Sequence, residues 1–85
     1  MKKVVLYTTQ SCPYCVRAKR LLERKSVEYE ELRVDLNPEL IDEAIRRSGG
    51  LRTVPQIFIG DCHVGGCDEL YALEGKNELD CLLED

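Results

Sequence analysis

Val4, Val5, Leu6 and Tyr7 form an unbroken apolar run near the start of the chain. A half-exposed strand has only every second residue on its apolar face, so a continuous run reads as a strand covered on both sides. The strand, Lys3 to Thr8, therefore belongs in the middle of a sheet. The rest of the chain must supply its neighbours and helices for both faces. In 85 residues this allows one domain, spanning 1–85. A domain of this size buries only roughly 60 to 65% of its unfolded surface, enough for one small core.

The next segments have helical and strand periods in turn. From Pro13 onward, Tyr14, Ala18 and Leu21 recur at spacings of four and three, as do Cys15, Ala18 and Leu22. That pattern predicts a helix with one apolar face, ending near Lys25, with Pro13 in its first turn, where no backbone donor is needed. Val27 to Asp35 is expected as a second strand, parallel to the first because a helix connects them. Asn37 and Pro38 start a second helix whose stripe is Leu40, Ile41, Ala44 and Ile45, and Gly49 and Gly50 stop it. "QIFI" and "CHV", joined by Gly60 and Asp61, read as a hairpin. Two short helices finish the chain, one from about Gly66 to Glu74 and one from Asn77 to the end. The order βαβ, then αββα, predicts an α/β protein: a four-stranded mixed sheet flanked by helices.

The net charge of −4, with acidic and basic residues interspersed, gives no basic face for a nucleic acid. "MKKVVLYTT" has an apolar run too short for a signal-peptide core or a membrane span, so a cytoplasmic protein with no membrane partner is expected. In a reducing compartment the five cysteines should not form a structural disulfide framework. Cys81, among leucines, reads as a small hydrophobe on a helix. Cys62, on a strand beside His63, the only histidine, reads as inert unless exposed.

Cys12 and Cys15 lie where the first strand hands over to the first helix, in "TTQSCPYCVRAKRLL". From the spacing alone the pair is a redox couple, half of a metal site, or two core thiols. Three stretches together resemble the glutaredoxins, and among them the short dithiol bacterial type: "YTTQSCPYC", "TVPQIFI" at 53 to 59 and "HVGGCDEL" at 63 to 70. The resemblance covers nearly the whole chain and implies the thioredoxin fold, in agreement with the element order.

The helix start gives the two cysteines different chemistry. Unpaired N–H groups and the positive end of the helix dipole stabilise a thiolate at Cys12, while Cys15, one turn inside, faces the core. Cys12 is therefore the attacking thiol and Cys15 the resolving one. Lowering a thiol pKa from ~8.5 to ~7 raises the thiolate fraction at pH 7 roughly fifteen-fold, and a Brønsted slope of ~0.5 takes back about six-fold. Attack improves only about three-fold, so the larger benefit lies in Cys12 as a leaving group and in the site that presents the disulfide.

The resemblance implies that site too. It gives Val54 and Pro55 a cis peptide facing the cysteines, and it places Thr53, Val54 and Pro55 against glutathione, with the Val54 backbone pairing to an extended substrate. If "GGCDE" opens a helix, the N–H groups of Cys67 and Asp68 suit the γ-glutamyl carboxylate and the Asp68 side chain the ammonium. Gly65 and Gly66 would then allow close approach, and Tyr14 would stack over the ligand. Relatives often carry a lysine where this chain has Thr9, leaving Arg52 or Arg47 as substitute cations.

What the resemblance implies is a monomeric glutathione-disulfide oxidoreductase. Glutathione would be its reducing co-substrate, and no cofactor or metal would be bound. Its protein substrates would be glutathionylated or disulfide-containing proteins, ribonucleotide reductase among the candidates. Two alternatives keep the cysteines active: a hydrogen donor served by thioredoxin reductase, which "GGCDE" argues against, and a metal or iron–sulfur carrier using C-x₂-C with a distant C-x₄-C. Pro13 and Tyr14 constrain the loop that a cluster would need to be flexible. A redox-inactive interaction module, with cysteines serving only as packing, fits an intact CPYC at a helix start least well.

Overall fold

Alternate residues of the apolar run face opposite sides of a sheet, and each side has its own core. In the computed structural model, which describes residues 1–84, β1 (Val4–Thr8) is buried along its whole length. Val4 and Leu6 pack with Ala18, Leu21 and Leu22 of α1 (Pro13–Arg24), and with Leu70 of α3 (Cys67–Gly75) and Leu79 and Leu83 of α4 (Leu79–Leu83). Val5 and Tyr7 pack on the other side with Val34, Phe58 and Ala44 of α2 (Pro38–Arg47). Fully buried residues such as Leu6, Leu22 and Ile57 each contribute roughly 2 kcal/mol through removal from water.

The sheet has the order β2-β1-β3-β4, with β2 at Glu30–Arg33, β3 at Gln56–Ile59 and β4 at Cys62–Gly65. β1 pairs in parallel with β2 and antiparallel with β3, and β3 is antiparallel to β4, so the sheet is mixed as expected. The helices connecting and following these strands cover both faces, which makes the class α/β. Among the described residues, no helix is long and apolar enough to cross a membrane.

Several boundaries differ from the sequence pattern. The second strand does not span Val27 to Asp35. Ser26 adopts a left-handed φ of 58°, and Val27 N–H bonds back to the Leu22 carbonyl at 2.9 Å, which makes Val27 part of the helix stop. At the other end, Val34 N–H still bonds to Thr8 O at 2.9 Å before the chain turns. In α2, Ala44 is buried and Leu40 half-buried, whereas Ile41 is 42% exposed: the helix meets the sheet along a narrower stripe than its apolar residues allow. α4 is shorter than expected, and its expected last residue, Asp85, lies outside the described residues. Burial of Leu79 and Leu83, one turn apart, turns Cys81 outward, so it is exposed rather than a core hydrophobe.

Candidate functional site

The turn after β1 places Cys12 as the N-cap of α1, with its backbone extended and Pro13 following. Its sulfur accepts the N–H of Cys15 at 3.2 Å, and its thiol points at the Val54 carbonyl, 3.9 Å away. One sulfur thus lies between a helix start and a facing loop, and it is partly exposed. Cys15 is buried at 1% exposure. Burial, then the hydrogen bond with Cys12, pushes its thiol up to about 12, against the opposing pull of the Thr9 N–H and the Lys19 ammonium. The expected division into an accessible and a buried sulfur is what the helix produces.

The facing loop contains the cis peptide between Val54 and Pro55. With it, Tyr14, Thr53, Gly66, Cys67 and Asp68 line a cleft of about 180 Å³. These residues, expected at the ligand site, are therefore at one place, close to the cysteine pair. Tyr14 is 54% exposed and lines this cleft rather than packing in the core. A larger hollow of about 490 Å³, beside Met1 and Tyr29, includes no cysteine.

Gly66 is the N-cap of α3, and its N–H is taken by the Glu69 carboxylate at 2.7 Å. Cys67 and Asp68 follow as the first helical residues, whose N–H groups have no acceptor within the helix. Gly65 has a different role from the one expected. Its φ of +117° excludes side chains, and a Cβ there would come within 2.9 Å of Glu69, so this glycine makes the turn and accommodates the Glu69 cap.

Of the candidate cations and remaining thiols, only Cys67 lines the cleft. Arg47 lies over Phe58, 4.2 Å from the ring centroid, and donates to the Tyr7 hydroxyl at 2.8 Å. Neither it nor the exposed Arg52 lines the cleft. Cys67 faces the core, where burial raises its thiol, while Cys62 is exposed on β4. Among the described residues, no group of three or more His, Cys, Asp or Glu side chains is placed to hold a metal ion.

Two polar arrangements were not visible in the motifs. Gln56, 2% exposed, also lines the cleft and holds Thr53 from below, through its carbonyl at 2.9 Å and its hydroxyl at 3.1 Å. The "TVPQ" stretch contained it, but nothing local showed its direction. The second arrangement is beside β1, where Thr8 donates to Glu31 at 2.7 Å and Lys19 approaches the same oxygen at 2.9 Å. Burial would raise the Glu31 carboxyl, but the hydrogen bonds from Lys19 and Thr8 hold it below the ordinary glutamate value. A depressed folded-state pKa stabilises the fold above the unfolded value and loses that effect as pH falls through the folded one. Glu31→Gln is expected to cost about 1 kcal/mol at pH 7, with the difference from wild type fading in acid. Urea unfolding at both pH values measures it, and a pH-independent difference would mean that the carboxylate charge plays no part.

The glutaredoxin family model matches residues 4–64. The glutaredoxin of Pseudomonas aeruginosa is 57% identical over 83 residues, which cover 98% of this chain and 98% of that protein. The solution structure of glutaredoxin from Brucella melitensis superposes with a TM-score of 0.84 at 55% identity, covering 98% of this chain and 89% of that one. A buckwheat glutaredoxin–glutathione complex superposes with a TM-score of 0.86 at 31% identity, covering 96% and 76%. The four-stranded mixed sheet of this chain is thus the thioredoxin fold as those proteins have it.

Proposed function

The chain belongs to the glutaredoxin family, which makes it a thiol–disulfide oxidoreductase, and on that premise we propose that glutathione is its reducing co-substrate and that mixed disulfides of glutathione with proteins are its main substrates. The observation that carries this reading is the asymmetric pair, one sulfur capping a helix at the cleft and the other buried behind it. In the monothiol route the Cys12 thiolate attacks the glutathione sulfur of the mixed disulfide, and the protein leaves as a thiolate that takes up a proton. A second glutathione thiolate then attacks the Cys12-bound glutathione, releasing glutathione disulfide and restoring Cys12.

In the dithiol route Cys12 first forms a mixed disulfide with a protein. Cys15 then displaces that protein's thiolate and closes a disulfide with Cys12, which two glutathiones reduce. This step needs Cys15 to lose its proton. Forming the mixed disulfide removes Cys12 as a charged, hydrogen-bonded neighbour that holds the Cys15 proton on, while the Thr9 N–H and Lys19 stay in place to favour the thiolate. Neither route requires a resident cofactor or metal. The proposed setting is a cytoplasmic monomer whose partners are glutathione and disulfide-bearing proteins.

In the cleft, the free N–H groups of Cys67 and Asp68 suit the γ-glutamyl carboxylate, the Asp68 side chain the ammonium, and the Val54 backbone the cysteinyl residue of glutathione. The buckwheat complex supports glutathione as ligand, because this chain shares its fold. Asp68→Ala is expected to raise KM for a small glutathione mixed disulfide about five-fold, the worth of one exposed charged contact. Alkylation of Cys12 by a small reagent should be unchanged, and a parallel fall in both rates would remove Asp68 from the binding role.

The direct test is turnover of a small glutathione mixed disulfide by metal-free protein supplied with glutathione, NADPH and glutathione reductase. Turnover supports the reading. Its absence, with the Cys12–Cys15 disulfide still reduced by thioredoxin reductase, would assign the electrons to that source instead.

A further inference from the structure

We propose that His63 is a positioning residue for the substrate-binding segment Thr53–Pro55 and acts through Gln56; the inference rests on the reading of that segment as the glutathione-binding backbone. Both amide hydrogens of Gln56 are committed, since its Nε2 lies 2.9 Å from Thr53 O and 3.1 Å from Thr53 Oγ1. Reversing the amide would set its oxygen against a carbonyl that can only accept, so the orientation is fixed. The Gln56 Oε1 is then left as an acceptor in a site only 2% exposed, and the atom facing it, 2.7 Å away, is His63 Nε2. His63 therefore carries a proton on Nε2 and donates it.

The register of the hairpin makes this contact possible. Ile57 pairs with Gly65, but the next pair is Phe58 with His63, one residue out of step. The two-residue turn at Gly60 and Asp61 pairs Ile59 with Cys62 and so sets His63 opposite Phe58, and the extra residue, Val64, is taken up beyond it. That pairing puts His63 on the Phe58 and Gln56 side, where its ring stacks on Phe58 with centroids 4.8 Å apart and planes at 28°. A stacked ring with one nitrogen on Gln56 has little freedom to turn away.

The consequence reaches the cleft through a single rigid unit. Thr53 C=O and Val54 N–H belong to the same planar peptide and point in opposite directions. A hydrogen bond that fixes the carbonyl also fixes where the N–H points, and the Val54 backbone is the group proposed to pair with substrate. His63 orients Gln56, Gln56 holds the Thr53 carbonyl, and the plane so held aims the Val54 N–H.

The test compares two variants in the glutathione turnover assay. His63→Leu keeps bulk at the position but removes the donor, and His63→Gln places an amide N–H at similar reach. His63→Leu should raise KM for the small mixed disulfide about five-fold with kcat unchanged, the effect of losing the order supplied by one hydrogen bond, while His63→Gln stays within about two-fold of wild type. Nitrogen-15 NMR of the wild-type imidazole should show the neutral ring protonated on Nε2. Wild-type KM in His63→Leu, an equal rise in both variants, or a neutral ring protonated on Nδ1 would each overturn the positioning role. If wild-type protein itself fails to use the glutathione mixed disulfide, the ligand assignment fails, and the imidazole spectrum still decides whether the His63 to Gln56 bond exists.

Discussion

Cys12→Ser is expected to abolish reduction of glutathione mixed disulfides and of protein disulfides alike, by about a thousand-fold or more, because both routes begin with attack by that sulfur and a serine hydroxyl is not ionised at neutral pH. Cys15→Ser should separate the two. It should retain turnover of a small glutathione mixed disulfide, because glutathione itself completes the monothiol route, and lose most reduction of protein disulfides. The structural basis is that Cys15 is sealed at 1% exposure, with its backbone N–H donating to the Cys12 sulfur. That donor is a main-chain group, and a serine hydroxyl can still donate to the Cys12 sulfur in place of the Cys15 thiol, so Cys12 keeps both kinds of contact in Cys15→Ser. Steady-state assays with the two substrate types decide the matter, and equal loss in both variants would mean that Cys15 supports the first step as well as the second.

The separation into an accessible and a buried sulfur was legible in the sequence because it follows from one local fact, a cysteine on either side of a helix start. The same holds for the two-sided burial of Val4 to Tyr7 and for the stop at Gly49, where φ is +77°. What was not legible depends on how far a partner covers a face. Periodicity put Ile41 and Cys81 among apolar neighbours, but the sheet meets α2 through Leu40 and Ala44, and α4 docks through Leu79 and Leu83. Ile41 and Cys81 therefore remain exposed.

Contacts across strands were equally hidden. The motif "TVPQ" named the cleft residues but not the buried amide beneath them, and His63 reaches that amide from the neighbouring strand, where it sits opposite Phe58. The glycines show the reverse case. Gly65 was singled out correctly as special, but for ligand approach, whereas its φ and the nearby Glu69 carboxylate show a requirement of the backbone itself. A sequence gives the residue types a site needs more readily than the hydrogen bonds that aim them.

The second large effect concerns reactivity within the pair. At pH 8 an ordinary thiol with pKa about 9 is roughly one-tenth thiolate, whereas Cys15, pushed up to about 12, is roughly one-thousandth as ionised. A Brønsted slope of ~0.5 returns about thirty-fold in nucleophilicity, which leaves Cys15 about thirty-fold slower from ionisation alone. Exclusion of the reagent from a buried sulfur adds to this. Reduced native protein treated briefly with iodoacetamide should therefore be labelled at Cys12, Cys62 and Cys81 and spared at Cys15 and Cys67, all five reacting in denaturant. Peptide mapping by mass spectrometry reads the result. Because the folded-state pKa of Cys15 is raised, its neutral burial stabilises the fold fully below the unfolded value near 9, and that contribution is lost as pH rises toward about 12. Protection of Cys15 should accordingly fail in alkali together with stability. Equal labelling of Cys12 and Cys15 at pH 8, in protein that remains folded, would show that the helix start does not separate the two sulfurs and would remove the physical basis for their different roles.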